Sequence, residues 1–207
     1  LLRKRRATRS RKRDCVNANI EQLLDVYRNY FTERTSKLAE LKEGKDLGIV
    51  LELLDELSGE FNIDADRVDV LGHFMGGTGT WNAIHQQPER FAAAIPTAGG
   101  FVPWLDARRI LDVPVWSFHG SADSIVPVGF TRQIFAELTS LGGNMKYTEL
   151  EGMPHNIELT AFLYDGDDPD RGFITQCSSD RCDRTPNVWD WLFAQNRFDG
   201  RSEDIMG

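Results

Sequence analysis

Residues 68–77 read VDVLGHFMGG, and this stretch decides the fold. Val68–His73 has the β-branched content and the length of a short strand. It runs into Gly76-Gly77-Thr78-Gly79, and a helix follows to about Gln87, where Pro88 closes it. Gly72 and Gly76 stand two before and two after Phe74. That spacing predicts a tight, strained strand-to-helix turn in which the central side chain points out of the sheet and neighbouring Cβ atoms would collide. The N–H of Met75 would then open the helix and face any negative charge that develops there.

Working outward, the same alternation recurs. Phe91–Thr97 (FAAAIPT) and Val113–His119 (VPVWSFH) read as short apolar strands, as parallel strands covered on both faces do. Pro127 to Leu141 reads as a helix stopped by Gly142-Gly143, Met145–Leu150 (MKYTEL) as a further strand, and Val188–Gln195 as a closing helix. Strands and helices joined by short connections make βαβ units. The expected class is therefore α/β, a mainly parallel sheet flanked by helices. Residues 156–186 break the rhythm and read as a long loop between the last strand and the last helix.

Upstream lies a different composition. Residues 1–13 (LLRKRRATRSRKR) hold eight Lys/Arg and no acid, leaving 16 basic and 32 acidic residues in the rest of the 207-residue chain. Residues 1–16 read as a basic, solvated arm, with nucleic-acid binding or a localisation signal as the alternatives. The overall charge of −8 argues against a nucleic-acid binder. Residues 17–45 carry an amphipathic helix (Ile20, Leu23, Leu24, Tyr27, Phe31, Leu38, Leu41), an N-terminal helical extension to the domain expected over 46–207. A second helix is expected from Asp46, as N-cap, to Leu57. Three Cys cannot staple a domain of this size, and no apolar run approaches a membrane span. No signal-peptide pattern is visible, which makes a cytoplasmic location the default expectation. The opening Leu suggests a fragment or a processed product.

Two further motifs follow strands. His119-Gly120-Ser121-Ala122-Asp123 and Gly152-Met153-Pro154-His155 place an acid and a histidine at carboxyl ends of successive strands, where functional groups collect in open parallel sheets. An Asp that orients a His, which then takes a hydroxyl proton, is the expected pairing. With these pieces in order, the chain resembles the α/β-hydrolase superfamily, in its esterase, phospholipase and prolyl-oligopeptidase-like branch. The resemblance covers roughly residues 46–156 and 187–196. It implies acyl transfer on carboxylic esters or peptides by a Ser, Asp and His, with no cofactor and no metal, and a small ester or peptide-like ligand as partner.

Carried over by position, the acid is Asp123, the base His155, and Met75 supplies an oxyanion-hole N–H. The nucleophile position falls on Phe74, which has no group that can attack a carbonyl. The resemblance also implies about four strands ahead of the turn, where the basic arm and long helix stand. Those strands would pair the edge of 68–73 and supply a second oxyanion donor. Both departures point to an inactive or impaired hydrolase; the alternative is a pseudoenzyme that binds a ligand on an aromatic floor. An accident is equally open, since one base change turns a Ser codon into Phe.

The remaining candidates read more plainly. His73 and Trp104 are expected to line the ligand site, and Phe101 and Trp116 to fill core or pocket. His85 is expected to be exposed and His119 to make a structural hydrogen bond. Ser121 and Ser124 flank the acid without the geometry of a nucleophile. Cys177 and Cys182 suit a small disulfide in an oxidising compartment. Asp165, Asp167, Asp168 and Asp170 resemble a calcium loop but lack its glycine and closing Glu.

Overall fold

A computed structural model describes residues 46–100 and 105–197. The basic arm at 1–16, the helix expected over 17–45, Phe101 and Trp104 lie outside the described residues. The chain divides into two units, Leu1–Glu52 and Leu53–Gly207. Of the first, the described part is the opening of helix α1, Asp46–Glu60, which runs three residues beyond its expected end.

In the second unit the chain continues through β1 (Asp69–His73), α2 (Met75–Gln86), β2 (Ala93–Thr97) and β3 (Val115–Gly120). It goes on through α3 (Gly129–Leu141), β4 (Met145–Leu150), α4 (Glu158–Phe162), β5 (Phe173–Cys177) and α5 (Val188–Ala194). The five strands form one sheet in the order β1-β2-β3-β4-β5. The first four are mutually parallel, and β5 runs antiparallel to β4 with Leu150 opposite Phe173 and Lys146 opposite Cys177.

Three strands start later than the apolar pattern suggested. Phe91 and Val113 are buried but precede their ladders. Apolarity reports burial, and burial extends past the residues whose backbone pairs. The loop expected over 156–186 is corrected more substantially, because it contains α4 and β5. Phe173–Cys177 alternates buried Phe173 with exposed Ile174, the signature of a strand with one wet face. Five residues between Gly172 and a polar turn were too few to stand out by period. Cys177 and Cys182 are free thiols, so the small disulfide is absent here.

Strand alternation sorts β3 into two faces. Trp116 and Phe118 enter a core with Tyr164, Phe173 and Trp191. Trp116 stacks on Phe118 at 5.2 Å and meets Trp191 edge-on at 5.4 Å. Its indole N–H donates to Thr148 Oγ1 at 2.9 Å, which satisfies the ring's one polar atom inside the core. Lys146 Nζ lies 3.4 Å above the same ring and donates to the Thr185 carbonyl at 2.6 Å. Val115, Ser117 and His119 take the opposite face, toward α3 for His119. Among the described residues, no helix is long and apolar enough to cross a membrane.

Candidate active site

The turn after β1 has the strain that its glycines announced. Phe74 sits at φ 56°, ψ −114°, a backbone conformation that side chains with a Cβ rarely adopt. Its N–H donates to the Thr97 carbonyl at the end of β2 (3.0 Å), and its carbonyl accepts from Thr78 N–H (2.9 Å), so both ends of the residue are tied down. A Cβ on Gly72 would lie 2.4 Å from the Gly76 carbonyl carbon and oxygen, so only glycine fits. Gly76 differs from expectation: a Cβ there meets nothing within 4 Å. Its backbone is the obstacle, and its own side chain would be free. Met75 opens α2 and is 75% exposed. Its N–H is one of the donors that a helix start leaves without an intrahelical acceptor.

Asp123 lies in the turn after β3. Oδ1 accepts from the N–H groups of Ile125 and Val126, both at 2.8 Å. Oδ2 accepts from His155 Nδ1 at 2.7 Å and faces His119 Nε2 at 3.2 Å. Burial pushes the Asp123 carboxyl upward, but the hydrogen bonds from His155, Val126 and Ile125 outweigh it and hold it below the usual carboxylate range. Gly120 makes the meeting with His155 possible. A Cβ there would lie 2.3 Å from the Met153 carbonyl oxygen and 2.4 Å from that of Pro154, so the loop carrying His155 crosses over bare backbone.

His155 and Asp123, both buried, are thus brought together as expected. The other ring nitrogen of His155, Nε2, is buried and has no hydrogen-bond partner among the described residues. The Phe74 ring stands edge-on to the His155 ring, with centroids 4.7 Å apart and planes at 89°. The His73 ring is 5.1 Å from it. His73 Nε2 lies 3.5 Å from Glu158 Oε2, and burial lowers the His73 pKa more than Glu158 raises it.

Four residues behave differently from, or beyond, their sequence reading. His85 is buried rather than exposed: its Nε2 accepts the Asp106 N–H at 3.0 Å, because α2 turns that side toward the 105–110 segment. Ser121 Oγ accepts the Gly152 N–H at 2.8 Å and so braces the loop before His155. Glu158 was missed; it lies three residues after His155, but only the fold of α4 turns it to His73. Thr131 was missed as well; it meets His119 Nδ1 at 2.8 Å from α3. Asp167 and Asp168 build turns, accepting the Thr175 and Arg171 N–H groups. No cluster of three or more His, Cys, Asp or Glu suited to a metal occurs among the described residues.

The mainly parallel sheet, the strained turn and the Asp–His pair beyond successive strands define a member of the α/β-hydrolase superfamily. The family model described as PETase: PET hydrolase-like matches residues 51–162, and the chain belongs to that family. It is 34% identical over 95 residues to cutinase est1 of Thermobifida alba, covering 45% of this chain and 30% of that protein. It is 33% identical over 82 residues to the bifunctional acetylxylan esterase/xylanase XynS20E of Neocallimastix patriciarum, covering 40% of this chain and 12% of that one. A solved thermostable esterase superposes with a TM-score of 0.55 at 33% identity, covering 74% of this chain and 37% of the esterase. The chain therefore spans well under half the length of these relatives.

Proposed function

We propose that this chain carries an ester-hydrolase site whose acid–base half is complete and whose nucleophile position is filled by Phe74. It binds a small ester or peptide-like ligand and forms no acyl-enzyme. Asp123 is the acid that orients His155 through Nδ1, His155 is the base through Nε2, and the Met75 N–H is the oxyanion donor. The cutinase and esterase names among its relatives support an ester as the ligand class. With a serine at 74, Nε2 would take the hydroxyl proton as Oγ bonds to the carbonyl carbon. It would then return that proton to the leaving group as the carbonyl re-forms. A phenyl ring has no proton to give and no lone pair to attack with. Removal of such a nucleophile costs on the order of 10⁶ in rate.

The observation that carries this reading is the Phe74 ring against His155, with Nε2 enclosed and without a hydrogen-bond partner among the described residues. The test is fluorophosphonate labelling of the chain, of Phe74→Ser, and of Phe74→Ser/His155→Ala. The expected result is labelling of Phe74→Ser alone. Labelling of the unaltered chain would overturn the assignment of position 74, and silence from all three would overturn the assignment of a working acid–base half.

A further inference from the structure

His119 is a fully buried histidine beside the site, and its contacts do more than fill a core. Both its side chain and that of Asp123 are fully buried. Nε2 faces two acceptors at once, the Val126 carbonyl at 2.9 Å and Asp123 Oδ2 at 3.2 Å. A nitrogen between two acceptors must carry the proton. Nδ1 is then the acceptor, and the Thr131 hydroxyl donates to it at 2.8 Å. Burial lowers the His119 pKa and so favours the neutral ring, whose tautomer is set by these three partners.

We propose that His119 is a positioning residue for the acid–base pair: its Nε2–H shares with His155 Nδ1–H the single oxygen Asp123 Oδ2, and so limits the charge that Asp123 offers His155. The two acceptors facing Nε2 set the tautomer, and Thr131 completes it by donating to Nδ1. The proposal rests on Asp123 and His155 being acid and base. A merely structural histidine would be satisfied by Val126 and Thr131 alone. The other titratable groups around the network are His73 on β1, Glu158 on α4 and Glu149 on β4, and none of them reaches Oδ2 within hydrogen-bonding distance.

The test uses imidazole-15N-labelled whole chain, with Phe74 in place, as wild type, His119→Phe, His119→Asn and His119→Gln. The expected spectra at neutral pH show His119 with its proton on Nε2 and none on Nδ1. The His155 Nδ1–H signal moves to lower field in His119→Phe and in His119→Asn, because Oδ2 then serves one donor. Gln restores a donor at the ε position and returns the signal toward wild type. In a Phe74→Ser background, the pH midpoint of fluorophosphonate labelling rises by about half a unit to one unit in His119→Phe and is recovered by His119→Gln. A proton on Nδ1 of His119, or an unmoved His155 signal in His119→Phe or His119→Asn, would overturn the proposal. Should His119→Phe not fold, His119→Asn decides, since its amide stands where Nδ1 does and offers no donor at the ε position. Absence of labelling in Phe74→Ser would sink the proposed function, while the spectra still judge His119 on their own.

Discussion

The strained turn and the acid–base pair touch, ring against ring at 4.7 Å, yet they are held by different means. Asp123 is held by side-chain and backbone hydrogen bonds, each of which also sets its charge. Phe74 is held by backbone alone: the Thr97 carbonyl, the Thr78 N–H and the bare Gly72 beside Gly76. The contrast teaches that the geometry of the turn does not depend on the side chain it presents. Strain of this kind survives because the surroundings over-determine it. The apolar ring therefore sits in a position built to display a nucleophile.

The largest effects are expected at the two glycines of the turn. Gly72→Ala should cost about 4 kcal/mol or abolish folding, because its Cβ would stand 2.4 Å from immovable backbone. Gly76→Ala should instead gain up to about 1 kcal/mol, the ordinary benefit of Ala over Gly inside a helix. Urea unfolding checks both, and equal effects would mean that the turn is not determined by backbone contact. A smaller effect is expected at position 74 itself. Phe74→Gly should be more stable than Phe74→Ala by about 1–2 kcal/mol, the reverse of the usual order, since only Gly is unstrained at φ 56°. Differential scanning calorimetry of the two variants would show it.

A separate, pH-dependent effect sits at the start of β1, away from the site. Burial pushes the Asp69 carboxyl up to about 6, against the pull of Arg67 and the Ala93 N–H. A raised carboxyl pKa means that the folded state keeps a proton the unfolded chain has lost. The contribution of Asp69 to stability should therefore fall as pH rises from the usual 3.8 toward about 6, and level off above that. The difference in urea midpoint between the wild type and Asp69→Asn, followed across this range, should show that slope.

Much of this was legible beforehand. The strand–turn–helix at 68–87 and the parallel order of the strands follow from local pattern and short connections, both of which are sequence-local properties. Asp123 and His155 were legible as candidates because each follows a strand. The antiparallel β5 was not, because its five residues, Phe173–Cys177, pair only across to β4 and carry no period long enough to read. His85 was misjudged for a related reason: its partner, the Asp106 N–H, comes from 21 residues away.

Residue types and spacing alone carry the available chemistry: a glycine-flanked turn, an acid, a base, and Phe74 where a nucleophile would stand. Those are properties of residue types at fixed spacings. Only the tertiary structure decided that Asp123 Oδ2 lies between His155 and His119, that Phe74 covers His155, and that Glu158 turns back to His73. Each of those contacts joins separate elements. Their distances are set by how strands and loops pack around Gly72 and Gly120, which no local pattern contains.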